Sequence, residues 1–194
     1  MEEIFRKHEA ASCANGTDKA VCHSYIPVYE KIFKKFKDKP IRLLEIGVCS
    51  GASIVAWEEY FTHPEREIHG IDITNENLKF NLKNFHVLDG TKEETPDILG
   101  GTWDIIIDDG SHIPSDQIRT LMLFKNRIRY GGIYVIEDIL FEDFAQNLIK
   151  DLDANNMDYI YHTTDLPNDR LLVFGRNLES GSHEIWGDGG EVPN

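Results

Sequence analysis

The fold is decided by one stretch of the chain, Ile41-Arg42-Leu43-Leu44-Glu45-Ile46-Gly47-Val48-Cys49-Ser50-Gly51. Its first half is an apolar run that predicts a buried β-strand. Its second half carries two glycines, and residues 52–61 continue in a helical pattern. Glycines in such a turn let the backbone approach a ligand, and the amino terminus of the next helix then faces that ligand. The stretch predicts a strand–turn–helix unit of the nucleotide-binding kind, with a purely structural turn as the alternative.

Strand-like and helix-like segments alternate along the rest of the chain. Further strands are predicted at 67–73, 85–88, 103–108 and 133–136, and further helices at 75–84, 115–128 and 141–152. Two last strands, at 159–162 and 170–174, are joined by a short connection with Pro167 and Asn168, which predicts an antiparallel hairpin. Such alternation is typical of a sheet covered by helices on both faces. We predict an α/β, Rossmann-like fold with a mostly parallel, seven-stranded sheet and a C-terminal antiparallel hairpin.

The length of 194 residues predicts one compact domain. We place it at residues 1–178, with an N-terminal helical segment at 1–40 and the Rossmann-like core at 41–178. Residues 179–194 are glycine-rich and acidic without any period. They predict a polar tail that is either disordered or ordered only over a bound substrate.

Composition narrows the classes of function. The formal net charge of −14 argues against a nucleic-acid partner, since phosphate backbones are bound by clustered Lys and Arg. No apolar run approaches the roughly 18 residues of a membrane span, and the amino-terminal stretch lacks the order of a secretory signal. The three cysteines, Cys13, Cys22 and Cys49, have no paired spacing, which favours reduced thiols. We expect a cytoplasmic protein without a membrane partner, which could assemble as a homo-oligomer.

Acidic residues at the ends of the predicted strands suggest a nucleoside site. Asp72 ends the second strand, where a carboxylate can accept hydrogen bonds from both ribose hydroxyls. A cap on the following segment is the competing interpretation. Asp89 would meet the adenine side, and Asp108 would lie in the same site or serve as a strand-end hydrogen-bonding group. The residues predicted to frame this ligand are Glu45, Gly47, Gly51, Asp72, Asp89 and Asp108.

A second acidic group follows the fourth and fifth strands. Asp109, Glu137 and Asp138 would converge on one edge of the sheet, where packed carboxylates repel one another and a hard divalent cation is the natural counter-charge. Mg²⁺ suits such an all-oxygen site. His112, three positions after Asp109, is the predicted general base, and Asp109 is assigned to catalysis with it. The alternatives are that Asp109 bonds turn amides and that Glu137 and Asp138 cap the next helix.

Four motifs together resemble a known family. They are Leu44-Glu45-Ile46-Gly47, Gly70-Ile71-Asp72, Ile107-Asp108-Asp109-Gly110-Ser111-His112 and Ile136-Glu137-Asp138. They resemble the class I S-adenosylmethionine-dependent methyltransferases, and more narrowly the metal-dependent sugar O-methyltransferases of macrolide and related antibiotics. An upstream segment with Gly16-Thr17-Asp18-Lys19, His23, Tyr25 and Tyr29 resembles the segment before the fold in that group. A departure is Cys49, which stands where a glycine is often found.

The resemblance implies a class I methyltransferase fold, S-adenosylmethionine as methyl donor and a divalent metal, Mg²⁺ or another. It implies that His112 is the general base and that Asp109, Glu137 and Asp138 are metal ligands. We predict an O-methyltransferase acting on a hydroxyl of a sugar or glycosylated small molecule. The alternatives are a catechol-like or amine acceptor, and a non-catalytic nucleotide-binding subunit of the same fold.

Overall fold

The computed structural model describes residues 1–10, 15–20, 22–155, 157–164, 169–175 and 184–186. The helices are α1 (Glu2–Arg6), α2 (Ile26–Phe33), α3 (Ala52–Tyr60), α4 (Thr95–Leu99), α5 (Pro114–Phe124) and α6 (Glu142–Ala154), with 3-10 turns at Lys34–Phe36 and Lys125–Arg127. The strands are β1 (Arg42–Ile46), β2 (Glu67–Asp72), β3 (Phe85–Val87), β4 (Trp103–Asp108), β5 (Ile128–Ile136), β6 (Asp158–Thr163), β7 (Arg170–Gly175) and β8 (Glu184–Trp186).

One sheet runs through the molecule in the order β3-β2-β1-β4-β5-β7-β6-β8. Every pairing among β1 to β5 is parallel, whereas β7 is antiparallel to both β5 and β6. The predicted α/β fold with a mostly parallel sheet and a C-terminal antiparallel hairpin is confirmed. The short strand β8 arises within the predicted tail and pairs in parallel with β6, which makes it an eighth strand. The rest of residues 179–194 lies outside the described residues.

The sheet is buried on both faces because successive strand residues point to opposite sides. Leu43 and Ile105 face a core cluster that also contains α2 and α3, with Trp57 at its centre. Leu44 and Ile106, the next residues along the same strands, face a second cluster built with α5 and α6. The continuous aliphatic runs that predicted buried strands therefore supply both cores. The N-terminal helices cover the first face and do not join the sheet.

The helix predicted at 75–84 is wrong, because these residues form turns in the structure. The segment contains four asparagines, Asn75, Asn77, Asn81 and Asn84. Asparagine side chains compete with helix formation by bonding to nearby backbone groups. The side chain of Asn84 instead makes a tertiary contact, in which Nδ2 donates to the carbonyl oxygen of Ile68 in β2 at 3.2 Å.

Of the helices that the structure describes, none combines the length and the apolar character needed to cross a membrane. The longest, α6, has 13 residues and is amphipathic rather than apolar throughout.

The strand order reverses between β1 and β4, since the chain leaves β1 towards β2 on one side and β4 pairs on the other. In open α/β sheets the crevice at the carboxyl ends of the strands beside such a reversal is where ligands bind. The turn after β1 and the loops after β4 and β5 all open into this crevice. The fold therefore brings the predicted site residues to one edge.

Gly47 lies directly against the loop that follows β4. Its φ is +88°, and a Cβ built on it would lie 2.0 Å from the carbonyl oxygen of Asp109. Beside this contact, the Asp109 N–H donates to the carbonyl oxygen of Ile46 at 2.8 Å. The two loops touch backbone to backbone, which only glycine permits at this distance.

Gly47→Ala is expected to lower the free energy of unfolding by about 3 kcal/mol or more, because a left-handed φ and a backbone overlap both oppose the new Cβ. The matched control is Gly131→Ala. Gly131 has a similar φ of +79°, but a Cβ there would meet no atom within 4 Å. That control should lose about 1 kcal/mol from backbone strain alone. Urea unfolding measures both, and equal losses would contradict the close approach.

Candidate functional site

The turn between β1 and α3 is held by the carboxylate of Asp72, at the end of β2. Asp72 Oδ2 accepts hydrogen bonds from the N–H groups of Val48 at 3.0 Å and Cys49 at 2.9 Å. Its Oδ1 accepts one from the N–H of Thr74 at 3.2 Å. Asp72 therefore fixes the glycine turn and at the same time borders the crevice.

A cavity of about 300 Å³ lies beside this turn. Four of the residues predicted for the nucleoside site line it, namely Gly47, Asp72, Asp89 and Asp108. Its apolar lining comes from Ile46, Ile71, Ile73 and Leu88. An apolar wall with a few fixed carboxylates is typical of a small-molecule site.

Two carboxylates of this cavity have local partners. Asp89 Oδ1 accepts bonds from the N–H and the hydroxyl of Thr91, at 2.9 and 2.7 Å. Asp108 is buried, and its Oδ2 accepts a bond from Thr120 Oγ1 at 2.6 Å. Burial raises the pKa of Asp108 to about 6 despite these hydrogen bonds.

Glu45 and Gly51, also predicted for the nucleoside site, line neither this cavity nor a second, smaller cavity of about 210 Å³ beside it. Glu45 is fully buried beneath the turn, where its Oε2 accepts a bond from Trp57 Nε1 at 3.1 Å. Burial raises the pKa of Glu45 to about 7, with Lys19 opposing the rise. Gly51 is the residue before α3, with a left-handed φ of +86° that residues with a Cβ rarely adopt. Glu45 thus lies in the buried interior, and Gly51 lies at the end of the turn.

A neighbouring cavity of about 210 Å³ shares Gly47, Asp72 and Gly110 with the first. Its other walls are residues 16–19 of the N-terminal segment, the turn between β1 and α3 with Ser53, and the loops that follow β4 and β5. Among the described non-glycine residues, only Cys49, His112 and Asp138 have a positive φ, and all three line this cavity. Strained backbone of this kind concentrates at functional sites, where the surrounding structure holds it in place.

Asp109, His112 and Asp138 meet in this second cavity. His112 Nε2 lies 3.2 Å from Asp109 Oδ1, and His112 Nδ1 lies 3.6 Å from Asp138 Oδ2. One ligand atom from each of the three residues lies within 4.8 Å of the others, a spacing that suits a single divalent ion. The two carboxylates suit Mg²⁺ or Mn²⁺, whereas the imidazole would be a ligand for a softer first-row metal.

Glu137, the other predicted ligand, does not belong to this group of three. Its Oε1 accepts a short hydrogen bond from the hydroxyl of Tyr29, and its Oε2 accepts one from Lys19 Nζ at 2.6 Å. Both of its oxygens are therefore engaged on the inner side of the site. Its role as a metal ligand stays a prediction.

Lys19 is the residue of this site to which the sequence analysis assigned no role. Its side chain is only 2% exposed, and Nζ lies 2.6 Å from Asp109 Oδ2 and 3.5 Å from Glu45 Oε1. Burial would lower the pKa of Lys19, but the carboxyl groups of Asp109, Glu137 and Glu45 raise it well above its usual value. The Thr-Asp-Lys triplet is part of the family resemblance. Nothing in the local sequence predicts that its ammonium group contacts the loops after β4 and β5.

The tyrosines of the N-terminal segment donate hydrogen bonds to the two acidic residues that follow β5. Tyr25 is fully buried, and its hydroxyl donates to Asp138 Oδ1 at 2.6 Å. Tyr29 does the same for Glu137. Both rings are buried in the core, and both hydroxyl groups reach the site.

Neighbouring charges shift the pKa values of Asp109, Asp138 and His112. Burial alone would raise the pKa of Asp109, but Lys19 and His112 lower it below its usual value. Burial and the charge on Asp109 raise the pKa of Asp138. Burial would lower the pKa of His112, but Asp109 and Asp138 raise it above its usual value. The imidazole thus gains affinity for a proton from both sides.

A polar cluster supports Asp138 from the far side. His23 Nε2 lies 3.6 Å from Asp138 Oδ1, and His23 Nδ1 lies 3.4 Å from Asp169 Oδ1. Asp169 is fully buried and accepts bonds from Ser24 N, Ser24 Oγ and Thr164 Oγ1 at 3.1, 2.8 and 2.6 Å. Burial would raise the pKa of Asp169, but these partners hold it well below its usual value.

The chain matches known methyltransferases by sequence. Residues 44–139 match a family model described as a methyltransferase domain. Two relatives are each 31% identical over 129 residues. They are the 8-demethyl-8-(2-methoxy-alpha-L-rhamnosyl)-tetracenomycin-C 3'-O-methyltransferase of Streptomyces olivaceus and the mycinamicin VI 2''-O-methyltransferase of Micromonospora griseorubida. Each match covers 60% of this chain and 32% of the relative, so the chain spans about a third of the length of these proteins.

The fold matches solved methyltransferase structures. MycE methyltransferase of the mycinamycin pathway, in complex with Mg and SAH, superposes with a TM-score of 0.70 at 23% identity, covering 100% of this chain and 56% of that chain. CalS10, an amino pentose methyltransferase from Micromonospora echinaspora, gives a TM-score of 0.58 at 14% identity, covering 78% and 89%. The class I fold and the resemblance predicted from the sequence are confirmed.

Asp169→Asn is expected to lower the free energy of unfolding by about 2 kcal/mol at pH 7, because it removes a buried charged acceptor. The folded-state pKa of Asp169 lies below the unfolded value. Its contribution is therefore complete above about pH 5 and shrinks as the pH falls below about 4. Urea unfolding of wild type and variant from pH 7 to pH 3 measures the difference, with Glu76→Gln at an exposed turn as surface control. A difference that stays constant with pH would contradict the assignment.

Proposed function

We propose that this chain, whose residues 44–139 match a methyltransferase domain, transfers a methyl group from S-adenosylmethionine to a hydroxyl of a sugar or glycosylated small molecule with the help of a divalent cation. One observation carries the proposal. The cavity lined by the nucleoside-site residues and the cavity lined by Asp109, His112 and Asp138 share a wall at Gly47, Asp72 and Gly110. A donor in the first and an acceptor in the second would meet at that wall.

The donor side is assigned to the first cavity. Asp72 and Asp89 keep carboxylate oxygens at the ends of β2 and β3, where ribose and adenine groups can be bound. Ile46 and Ile71 supply apolar surface for a planar base. Glu45 and Gly51 line neither cavity, so their contact with the donor stays a prediction.

The metal side is assigned to Asp109 and Asp138. Each carboxylate has one oxygen fixed from behind, Asp109 Oδ2 by Lys19 and Asp138 Oδ1 by Tyr25, which leaves Asp109 Oδ1 and Asp138 Oδ2 facing the cavity. A divalent cation there would supply positive charge that lowers the pKa of an acceptor hydroxyl. Glu137 remains the predicted third ligand, provided that it exchanges the bond from Lys19 or Tyr29.

His112 is assigned as the general base. Nε2 lies within hydrogen-bond distance of Asp109 Oδ1, which favours the tautomer with its proton on Nε2 and leaves Nδ1 to accept the proton of the acceptor. The hydroxyl oxygen forms its bond to the methyl carbon as the carbon–sulfur bond breaks, and the electron pair of that bond stays on sulfur. Asp109 holds the imidazole in place during this step, which is its predicted catalytic part.

The acceptor class rests on the relatives and on charge. The matched relatives are named for methyl transfer to sugar hydroxyls of glycosylated compounds. The formal net charge of −14 disfavours a nucleic-acid acceptor. A carbohydrate-bearing small molecule with neighbouring hydroxyls, which can both approach one cation, fits these observations best. The cytoplasmic location, the homo-oligomer and the predicted domain boundaries stay predictions.

The decisive experiment combines binding and turnover. Calorimetry should show binding of S-adenosylhomocysteine, and labelled S-adenosylmethionine should methylate members of a sugar panel but not a catechol panel, with loss of turnover in chelator. His112→Asn, chosen because asparagine tolerates the left-handed backbone of this position, should lower kcat by about 10²- to 10⁴-fold and leave donor binding unchanged. Failure of the chain to bind either adenosyl compound would end the proposal, and turnover of catechols alone would change the acceptor.

Divalent-cation binding should depend on the carboxylates of Asp109 and Asp138. Asp109→Asn and Asp138→Asn are each expected to weaken Mg²⁺ or Mn²⁺ binding by at least about 100-fold, because each removes a charged ligand. Asp143→Asn, an exposed carboxylate at the start of α6, should leave the Kd unchanged. Calorimetry without donor or acceptor measures all three variants. Equal affinities in wild type and both site variants would place the metal elsewhere.

A further inference from the structure

Lys19 is a charged side chain buried in the centre of the acidic site. Its side chain is 2% exposed, and Nζ lies 2.6 Å from both Asp109 Oδ2 and Glu137 Oε2. Burying an ammonium group is costly unless opposite charges compensate it closely. Glu45 Oε1 at 3.5 Å completes a group of three carboxyls around one nitrogen. Such a placement needs an explanation that general packing does not provide.

We infer that Lys19 is a built-in cation that occupies the inner half of the acidic cluster, so that one divalent ion binds only at the outer half. The inference rests on the proposed function, because it concerns the same metal site. Lys19 is then a positioning residue, which sets where the metal binds and how many ions are bound, without touching the reacting atoms.

The hydrogen bonds divide the cluster into two halves. On the inner side, Lys19 occupies Asp109 Oδ2 and Glu137 Oε2, and Tyr29 occupies Glu137 Oε1. On the outer side, Asp109 Oδ1 lies 3.2 Å from His112 Nε2, and Asp138 Oδ2 lies 3.6 Å from His112 Nδ1. These two oxygens can reach a metal without giving up a contact to Lys19, whereas Glu137 joins them only by releasing the bond from Lys19 or Tyr29.

The balance of charge supports the same division. One ammonium group serves three carboxyls, Glu45, Asp109 and Glu137, and without it these groups would repel one another in a buried space. A divalent ion would then be drawn inward to replace the missing charge. The positive charge of Lys19 prevents this and also weakens the attraction for an ion at the outer half.

The same contact fixes the N-terminal segment over the cavity. Residues 16–19 form one wall of it, and Ser50 Oγ donates to the carbonyl oxygen of Gly16 at 3.1 Å. Thr17 pairs with the chain at both His8 and Ala10 through backbone hydrogen bonds. Lys19 is the inner end of this wall. Its ion pairs thus join the segment to the loops that follow β4 and β5.

The test is Lys19→Met, which keeps the length of the side chain and removes its charge. In chelator its Tm should fall by about 10 °C, since a buried ion pair is broken. Mg²⁺ should raise the Tm of this variant more than that of wild type, and calorimetry should show Mg²⁺ binding tightened by roughly tenfold or more. A lysine with only a structural role would lower the Tm and leave the Mg²⁺-induced shift unchanged. Lys39→Met, at an exposed position, is the matched control and should change none of these values.

A second variant keeps the inference testable if Lys19→Met does not fold in chelator. Lys19→Met with Glu137→Gln removes one buried carboxylate together with the ammonium. It should recover at least half of the lost Tm without metal, and its Mg²⁺-induced shift should return towards that of wild type. A double variant no more stable than Lys19→Met, or Mg²⁺ binding that is equal or weaker in the single variant, would overturn the inference. If wild type binds no divalent ion, the proposed function fails, whereas the metal-free comparison of the single and double variants still tests the pairing of Lys19 with Glu137.

Discussion

A single buried ammonium group organises this site. Lys19 lies 90 residues from Asp109 and 118 residues from Glu137 along the chain, yet it donates a hydrogen bond to each. A charge with so little access to water requires its partners in place, so the N-terminal segment and the loops after β4 and β5 can adopt few other arrangements. The same contact shapes the cavity wall, fixes one oxygen of a proposed metal ligand and limits the positive charge that the site can still accept.

Around Lys19, the rigid sheet fixes the positions of the loops that carry the site. The parallel strands end at one edge, and Gly47 allows the turn after β1 to press against the backbone of Asp109. Positive φ angles at His112 and Asp138 then direct both side chains into the same cavity. Strain at these positions is sustained by the strongly packed strands behind them. Sites held by rigid elements keep reacting groups aligned, which an in-line transfer of a methyl group requires.

The N-terminal segment contributes more than the covering of one sheet face. Tyr25 directly precedes α2 and Tyr29 lies within it. Both bury their rings in the core, while their hydroxyl groups fix the two acidic residues after β5. The same two side chains therefore pack in the core and bind acidic residues of the site. The structural neighbour with the TM-score of 0.70 extends well beyond the region that this chain matches. The comparison therefore concerns the fold of the sheet and its helices.

Local pattern was enough to predict the sheet, the glycine turn and the meeting of Asp109, His112 and Asp138, because strand periodicity and the shared edge of parallel strands follow from neighbouring residues. Local pattern failed at 75–84, where four asparagines disfavour a helix. It also could not place Glu45 beneath the turn, engage both oxygens of Glu137 or insert Lys19 among three carboxyls. Those facts depend on contacts between segments far apart in the chain. Burial and charge pairing depend on the complete fold. The sequence therefore determines which chemical groups are present, whereas the packing determines which partners each group has.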